Sequence, residues 1–187
     1  MEKLKLSEVR KTLPFEIRKG NSMDYLSHYA DGRNCDIIDY DVYLPSKKKN
    51  LQRPFCWSLE SKQELILSVL KGIRLPAISV ILYRDDILRK EHNYIMKIID
   101  GKQRLSTLIS FIKNEFNIIW NNKEYFYKDM ELDAQNSIGL LMLTQDIVYE
   151  YPDQMISDDN KIAWFEMINF AGTPQDIEHL NNLKNNA

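Results

Sequence analysis

The chain has 187 residues, of which 44% are hydrophobic and 11% aromatic. This length fits a single domain, 1–187, and the apolar content excludes an intrinsically disordered chain because it suffices for a packed core. The formal net charge of −2 at pH 7 excludes a uniformly basic surface that would coat duplex DNA, but it allows a local basic site.

The N-terminus and the rarer residue types predict a cytosolic protein without a zinc site. No signal-peptide pattern begins the chain, and no stretch approaches the roughly 20 apolar residues of a membrane span, so we expect no membrane partner. Cys35 and Cys56 have no CxxC spacing and are expected to be reduced thiols. The histidines are scattered along the chain and form no metal-ligand pair.

The first part of the chain predicts helix, strand, loop and helix in that order. Residues 1–30 are expected to be mostly helical, 37–44 to form a strand, and 46–57 an irregular loop. A helix from Ser61 to Gly72 follows, because Ser-x-x-Glu is a capping box that begins a helix and glycine commonly ends one.

The middle of the chain predicts two buried strands and an amphipathic helix. Segments 77–83 and 94–99 are apolar and rich in β-branched residues, with a charged hairpin loop over 84–93 between them. After Gly101, apolar residues recur at helical spacing on one face, at Leu105, Leu108, Ile109 and Ile112.

The remaining segments complete a mixed set of elements. An asparagine turn at 121–123 is expected to join short strands over 117–120 and 124–127. Beyond it we expect a helix over 133–143, a strand over 147–151, and helices over 161–169 and 174–183. Strands and helices without regular βαβ alternation predict the α+β class.

The junction between the second buried strand and the amphipathic helix is the strongest candidate site. A strand that ends in glycine and opens a helix presents unpaired N–H groups and the positive end of the helix dipole, which suit an anion. Arg104 and Lys102 supply cationic donors for phosphate, Asp100 could hold a divalent cation or orient water, and Gln103 could position that water. The alternative is structural, because Asp100-x-x-Gln103 is itself a capping box.

Two flanking segments add to this candidate site. Gln52 and Arg53 precede Trp57 in a loop, a combination that suits the phosphate and base of a nucleotide, although the aromatic residues could equally pack in the core. Near the C-terminus, Asn169 precedes Gly172-Thr173-Pro174, which exposes backbone donors at a helix start or simply punctuates two helices.

The three segments together resemble a known family. Gln-Arg-x-x-x-Trp, a helix ending in glycine, Ile-Asp-Gly-x-Gln-Arg-Leu-x-Thr-Leu and Asn-x-x-Gly-Thr-Pro occur in this order in the N-terminal domain of GmrSD-type restriction enzymes. The chain resembles this domain over 42–176, in a standalone form without the C-terminal nuclease domain.

The resemblance implies a fold similar to ParB and sulfiredoxin domains, a small mixed sheet with flanking helices and a nucleotide pocket. It implies an NTP as ligand or substrate, Mg²⁺ as cofactor with Asp100 as its ligand, and a bacterial or phage-infected bacterial cytoplasm. Catalytic roles would fall to Asp100, Gln103 and Arg104. From the resemblance and the side-chain chemistry together, the residues predicted to contact nucleotide or phosphate are Gln52, Arg53, Gly101, Lys102, Arg104, Thr107, Asn169, Gly172 and Thr173.

The chain departs from the family pattern at three positions. Leu51 stands where the family usually has an aromatic residue, and Met167 where it often has arginine, which removes one cationic contact. Lys102 replaces a glutamine and should favour phosphate. The scattered histidines cannot supply a His-Asn-His nuclease, so we expect no DNA cleavage by that route.

These observations favour a nucleotide-binding domain related to restriction of modified phage DNA, with Mg²⁺-dependent NTP hydrolysis as its candidate reaction. Two alternatives stay open. One is a non-catalytic module, encoded by a phage or its host, that engages DNA or a defence-system protein. The other is a ParB-like nuclease that acts alone.

Overall fold

A five-stranded mixed sheet forms the centre of the computed structural model, which describes residues 14–22, 24–33, 36–85 and 94–170. The sheet has the order β1-β9-β5-β6-β2. Its strands are β1 (Arg18–Asn21), β2 (Asp36–Asp39), β5 (Ile78–Tyr83), β6 (Tyr94–Asp100) and β9 (Thr144–Glu150). The inner pair β5–β6 is antiparallel, whereas β2–β6 and β5–β9 are parallel.

Short hairpins and five helices surround this sheet in the described part of the chain. The hairpins are β3 (Tyr43–Leu44) with β4 (Lys49–Asn50), and β7 (Ile118–Trp120) with β8 (Lys123–Tyr125). The helices are α1 (Leu26–Asp31), α2 (Leu59–Leu70), α3 (Lys102–Ile112), α4 (Leu132–Gly139) and α5 (Asp158–Phe170). This mixed sheet with flanking helices confirms the α+β prediction, and the closer likeness to ParB and sulfiredoxin domains stays a prediction.

Alternation along β5 and β6 separates two hydrophobic cores, because successive strand residues face opposite sides of a sheet. Val80 and Ile98 pack in the larger core, into which the first four helices insert buried residues such as Leu105 and Phe111. Ile81 and Ile99 face the smaller core, where α5 packs together with buried residues of the 42–51 segment. Both faces of the central strands are therefore covered, which explains their near-continuous apolar sequence.

Several predicted elements agree with the structure. The central strands and the helix after Gly101 lie where the sequence places them, as does the turn of β7–β8, in which Asn121 and Asn122 have φ of 50° and 59°. Positive φ at both turn residues is required by the type I′ turn, a common two-residue hairpin connection, and asparagine tolerates it. The predicted strand 147–151 begins earlier, at Thr144, and the predicted helices 133–143 and 161–169 become α4 and α5.

Other predictions were wrong. Residues 18–21 form a strand rather than helix, and the strand expected over 37–44 is broken. It breaks because Asp39 Oδ1 accepts hydrogen bonds from the backbone N–H groups of Asp41 and Val42, which turns the chain between β2 and β3. The helix expected to begin at Ser61 begins at Leu59, and its N-cap is Ser58, whose Oγ accepts from the Ser61 N–H at 3.3 Å.

Two expectations lie on residues that the structure does not describe. Residues 86–93 of the expected 84–93 hairpin loop fall outside the described ranges, as does the helix expected over 174–183. Across the described residues, none of the helices combines the length and apolar character needed to cross a membrane.

Candidate functional site

The candidate site begins where β6 ends and the chain reverses into α3 through Gly101. Gly101 has a φ of 99°, in the left-handed region that favours glycine. A Cβ atom placed there would lie 2.4 Å from Ile78 Cγ2 and 2.9 Å from Ile78 Cβ. Both the backbone conformation and the contact with β5 therefore require glycine at this position.

No side chain caps the start of α3. The N-cap residue is Gly101 itself, so the capping box predicted between Asp100 and Gln103 as the structural alternative is wrong. The N–H groups of Lys102 and Gln103 lie in the first helical turn, where no preceding carbonyl of the helix can accept from them. The helix thus begins with backbone donors and its positive dipole end at the end of β6, where Gly101 and Lys102 are themselves buried.

Asp100 forms an ion pair with Arg104 instead of capping the helix. Arg104 Nη2 lies 2.7 Å from Asp100 Oδ2, one helical turn away. The same guanidinium donates to the backbone oxygens of Pro76, at 2.6 Å, and Ala77, at 3.3 Å. Arg104 therefore holds the chain that enters β5 against the first turn of α3. Both Nη atoms of its guanidinium already donate hydrogen bonds within the protein.

Lys102 is also engaged within the protein. Its side chain is 9% exposed, and its Nζ donates to Asp41 Oδ1 at 2.6 Å. The more exposed carboxylate of Asp41 belongs to the turn after β2, which Asp39 stabilises. The ammonium group thus ties this turn to the start of α3.

Two glutamines join the loop that carries Arg53 to the junction of β6 and α3. Gln52 is buried, and its Nε2 donates to the backbone oxygens of Ile98, at 3.2 Å, and Ile99. Gln103 Nε2 donates to the Pro54 oxygen at 3.2 Å, and its Oε1 accepts from the Cys56 N–H at 3.1 Å. Residues 52–56 consequently run along the end of β6 and the first turn of α3.

Arg53 lies between these two anchor points. It is half-buried and makes no hydrogen bond or ion pair with the residues that the structure describes. It therefore differs from Lys102 and Arg104, whose charges already face carboxylates. Among the cationic residues predicted for the site, Arg53 is the one with a guanidinium still available to an anionic ligand in the described chain.

The other predicted residues stand apart from this group. Thr107 is fully buried on α3, so contact with a ligand would require a rearrangement. Asn169 lies near the end of α5, where its Nδ2 donates to the Phe165 oxygen at 2.7 Å. Gly172 and Thr173 lie outside the described residues. Contacts from these positions stay predictions.

The expected Mg²⁺ site at Asp100 stays a prediction. No group of three or more Asp, Glu, His or Cys residues that could hold a metal ion occurs among the described residues. One oxygen of Asp100 already faces Arg104. Magnesium prefers octahedral oxygen coordination and is often held by one or two carboxylates with substrate phosphates and water. Asp100 would therefore have to share the ion with phosphate oxygens and water.

The sequence analysis missed the Asp39-Tyr40-Asp41 turn as part of this region. Tyr40 forms a side-chain hydrogen bond with Ser106 of α3, and burial raises the pKa of its phenol to about 12, although that hydrogen bond lowers the pKa. A polar turn directly after an apolar strand was the available signal. Its placement depends on the parallel pairing of β2 with β6, which brings the ends of both strands to one edge.

Comparison with known proteins agrees with the motif-based resemblance. The family model described as GmrSD restriction endonuclease, N-terminal domain, matches residues 38–185, a range that includes the resemblance predicted over 42–176. Comparisons with curated proteins and with solved structures give no match. Since the family model covers most of the chain, this protein belongs to the GmrSD restriction endonuclease N-terminal domain family.

Proposed function

We propose that this domain binds a nucleoside triphosphate through its phosphates at the start of α3, in a system related to restriction of foreign DNA. The observation that carries the proposal is that α3 begins without a side-chain cap, and that the loop bound to its first turn carries Arg53, which has no partner among the described residues. Backbone N–H groups at a helix start and an arginine fork are complementary to phosphate oxygens in both charge and geometry. Family membership supports the link to restriction.

The surrounding ion pairs make the site compatible with an anion. Asp100 and Asp41 would repel phosphate if their charges were uncompensated. Arg104 and Lys102 offset these charges at 2.7 Å and 2.6 Å. We therefore assign Arg104 and Lys102 positioning and charge-balancing roles, and Arg53 the direct contact with phosphate.

Binding is proposed ahead of hydrolysis. Gln103 already uses both atoms of its amide on the 54–56 backbone, and one oxygen of Asp100 is held by Arg104. Hydrolysis through Asp100, Gln103 and Arg104 would require these contacts to rearrange when the nucleotide binds. Any Mg²⁺ would have to be held mainly by the phosphates and water.

The test is a calorimetric titration of the chain with ATP and with GTP, each in EDTA and in Mg²⁺, together with a phosphate-release assay. Arg53→Ala should weaken binding by about tenfold to a hundredfold, since a hydrogen bond to a charged group is worth about 1.5–3 kcal/mol. Lys113→Ala is the matched control, because it removes one positive charge beyond the other end of α3.

Each outcome has a distinct meaning. Equal weakening by Arg53→Ala and Lys113→Ala would indicate long-range charge rather than a site. Failure of the wild-type chain to bind either nucleotide would overturn the proposal and favour the non-catalytic module that engages DNA or a defence-system protein. Binding without phosphate release would support the proposed site and reject hydrolysis by the isolated chain.

A further inference from the structure

A cleft of about 520 Å³ lies between α2, the β7–β8 hairpin and the segment leading into α4. Aliphatic side chains, including Leu67 and Met130, form part of its lining. Small-molecule sites typically have volumes of about 300–1,000 Å³ and mostly apolar linings. None of the lining residues belongs to the proposed phosphate site, so a ligand of this cleft would be distinct from the nucleotide.

Two aromatic side chains line the cleft from the hairpin. Trp120 and Tyr125 both belong to its lining, and the Trp120 residue is 50% exposed. A half-exposed tryptophan on a short hairpin retains a large apolar surface that no neighbour in the described chain covers. Its π-system also attracts a cation placed over the ring.

The charges along the cleft also favour a positively charged ligand. Asp129, Glu131 and Asp133 line it, opposed by the single cation Lys71. Asp129 and Asp133 accept hydrogen bonds from the backbone N–H groups of Phe126 and Ala134. Neither carboxylate has an ion-pair partner in the described chain, so both negative charges are uncompensated. Lys123 pairs with Trp120 across the hairpin but does not line the cleft.

We propose that this cleft binds a small amphipathic organic cation, with an apolar body and one ammonium or guanidinium group. The apolar body occupies the aliphatic part of the cleft, and the cationic group lies near the carboxylates and the Trp120 ring. An apolar cleft without charge preference would accept a neutral ligand equally well. The preference for positive charge is therefore the distinctive expectation.

Three probes of matched size test this preference by titration calorimetry at low ionic strength. They are 4-phenylbutylammonium, 4-phenylbutanol and 4-phenylbutyrate. The ammonium compound should bind about fivefold more tightly than the alcohol, in line with the strength of an exposed cation–π contact plus favourable charge. The carboxylate should bind more weakly than the alcohol. Equal affinities for all three, or saturation by none of them, would overturn the proposal.

Two variants locate the binding. Glu131 begins α4 as its N-cap residue but makes no side-chain capping bond, so Glu131→Gln changes charge without removing a cap. This variant should reduce the ammonium affinity severalfold and leave the alcohol affinity unchanged. Glu64→Gln is the matched control, because Glu64 is exposed on α2 and does not line the cleft.

Substitutions that fill the cleft or remove its tryptophan give a second test of where the probes bind. Ala134→Leu should fill part of the cleft and weaken both the ammonium and the alcohol probe, while Trp120→Ala should remove chiefly the ammonium preference. Thermal unfolding checks that each variant folds, and the half-exposed Trp120 is the safer substitution. Unchanged ammonium binding in a folded Trp120→Ala variant and in Glu131→Gln would place the probe elsewhere. Nucleotide binding at α3 should be unaffected by either substitution.

Discussion

The carboxylate of Asp100 and the guanidinium of Arg104 face each other at 2.7 Å across the first turn of α3. The same guanidinium also reaches the backbone oxygens of Pro76 and Ala77 before β5. One side chain therefore joins the end of β6, the start of α3 and the entry to β5. In this arrangement Arg104 shapes the candidate phosphate site, so its place in the motif reflects an architectural demand.

Replacing Arg104 should lower stability before it affects a ligand. Arg104→Ala removes the donors to two backbone oxygens and leaves Asp100 without its ion-pair partner. We expect a loss of about 1–3 kcal/mol in the free energy of unfolding, measured by urea denaturation, because groups at this partly buried junction lose their partners.

Arg104→Lys provides the conservative comparison. Lysine keeps the charge but cannot reproduce the forked contacts, so it should recover only part of the lost stability. An Arg104→Ala chain that unfolds at the wild-type urea concentration, yet no longer binds nucleotide, would contradict the positioning role and indicate direct phosphate contact.

Gly101→Ala should be strongly destabilising for two separate reasons. The residue has a φ of 99°, and its new Cβ would lie 2.4 Å from Ile78 Cγ2. Left-handed strain costs roughly 1–2 kcal/mol, and overpacking adds typically about 1–3 kcal/mol. The expected result is a fall of several kcal/mol in the free energy of unfolding, measured by urea denaturation monitored with circular dichroism.

Gly72→Ala is the matched control for backbone strain. Gly72 also has a positive φ, of 78°, but nothing lies within 4 Å of a Cβ placed there. Its substitution should cost only the roughly 1–2 kcal/mol of left-handed strain. Equal destabilisation by both substitutions would show that the Ile78 contact relaxes without cost.

Local sequence signals predicted the parts of the site that depend on neighbours in the chain. The apolar run of β6, the glycine and the helical periodicity after it sufficed to place the β6–α3 junction. They could not predict the partners of Lys102 and Gln52, because those contacts depend on long-range strand pairing and loop packing. The capping-box prediction at Asp100 failed for a related reason. Arg104, one turn ahead, competes for the same carboxylate.

Gln52→Leu should loosen the loop that carries Arg53 while preserving side-chain volume. The Gln52 amide donates to the backbone oxygens of Ile98 and Ile99, and leucine would leave these oxygens without that donor. Buried polar groups that lose their partners cost about 1–3 kcal/mol each. We expect faster amide hydrogen exchange across residues 53–57 and weaker nucleotide binding, measured by mass spectrometry and calorimetry.

Gln103→Ala tests the opposite anchor of the same loop. It removes the contacts with Pro54 and Cys56, which are more exposed, and so should increase exchange with a smaller loss of stability. If exchange at residues 53–57 stays at the wild-type rate in both variants, the two glutamines do not fix the loop.

Tyr40 should make the chain sensitive to alkaline conditions. Burial raises the pKa of its phenol from 10.0 to about 12 in the folded chain, although its hydrogen bond to Ser106 acts in the opposite direction. The unfolded chain therefore releases this proton at lower pH than the folded chain. The associated stability is complete below pH 10 and is lost as the pH rises through about 12, by roughly 2–3 kcal/mol.

Tyr40→Phe removes the titrating group and isolates this contribution. At pH 7 the variant should be about 1 kcal/mol less stable, because it loses the hydrogen bond to Ser106. Between pH 9 and pH 12 its urea midpoint should fall less steeply than that of the wild-type chain, so the two stability curves should cross between pH 10 and pH 12. Tyr43→Phe is the control, because Tyr43 is exposed and its replacement should leave the slope unchanged. Parallel pH profiles for wild type and Tyr40→Phe would show that this phenol titrates alike in the folded and unfolded chains.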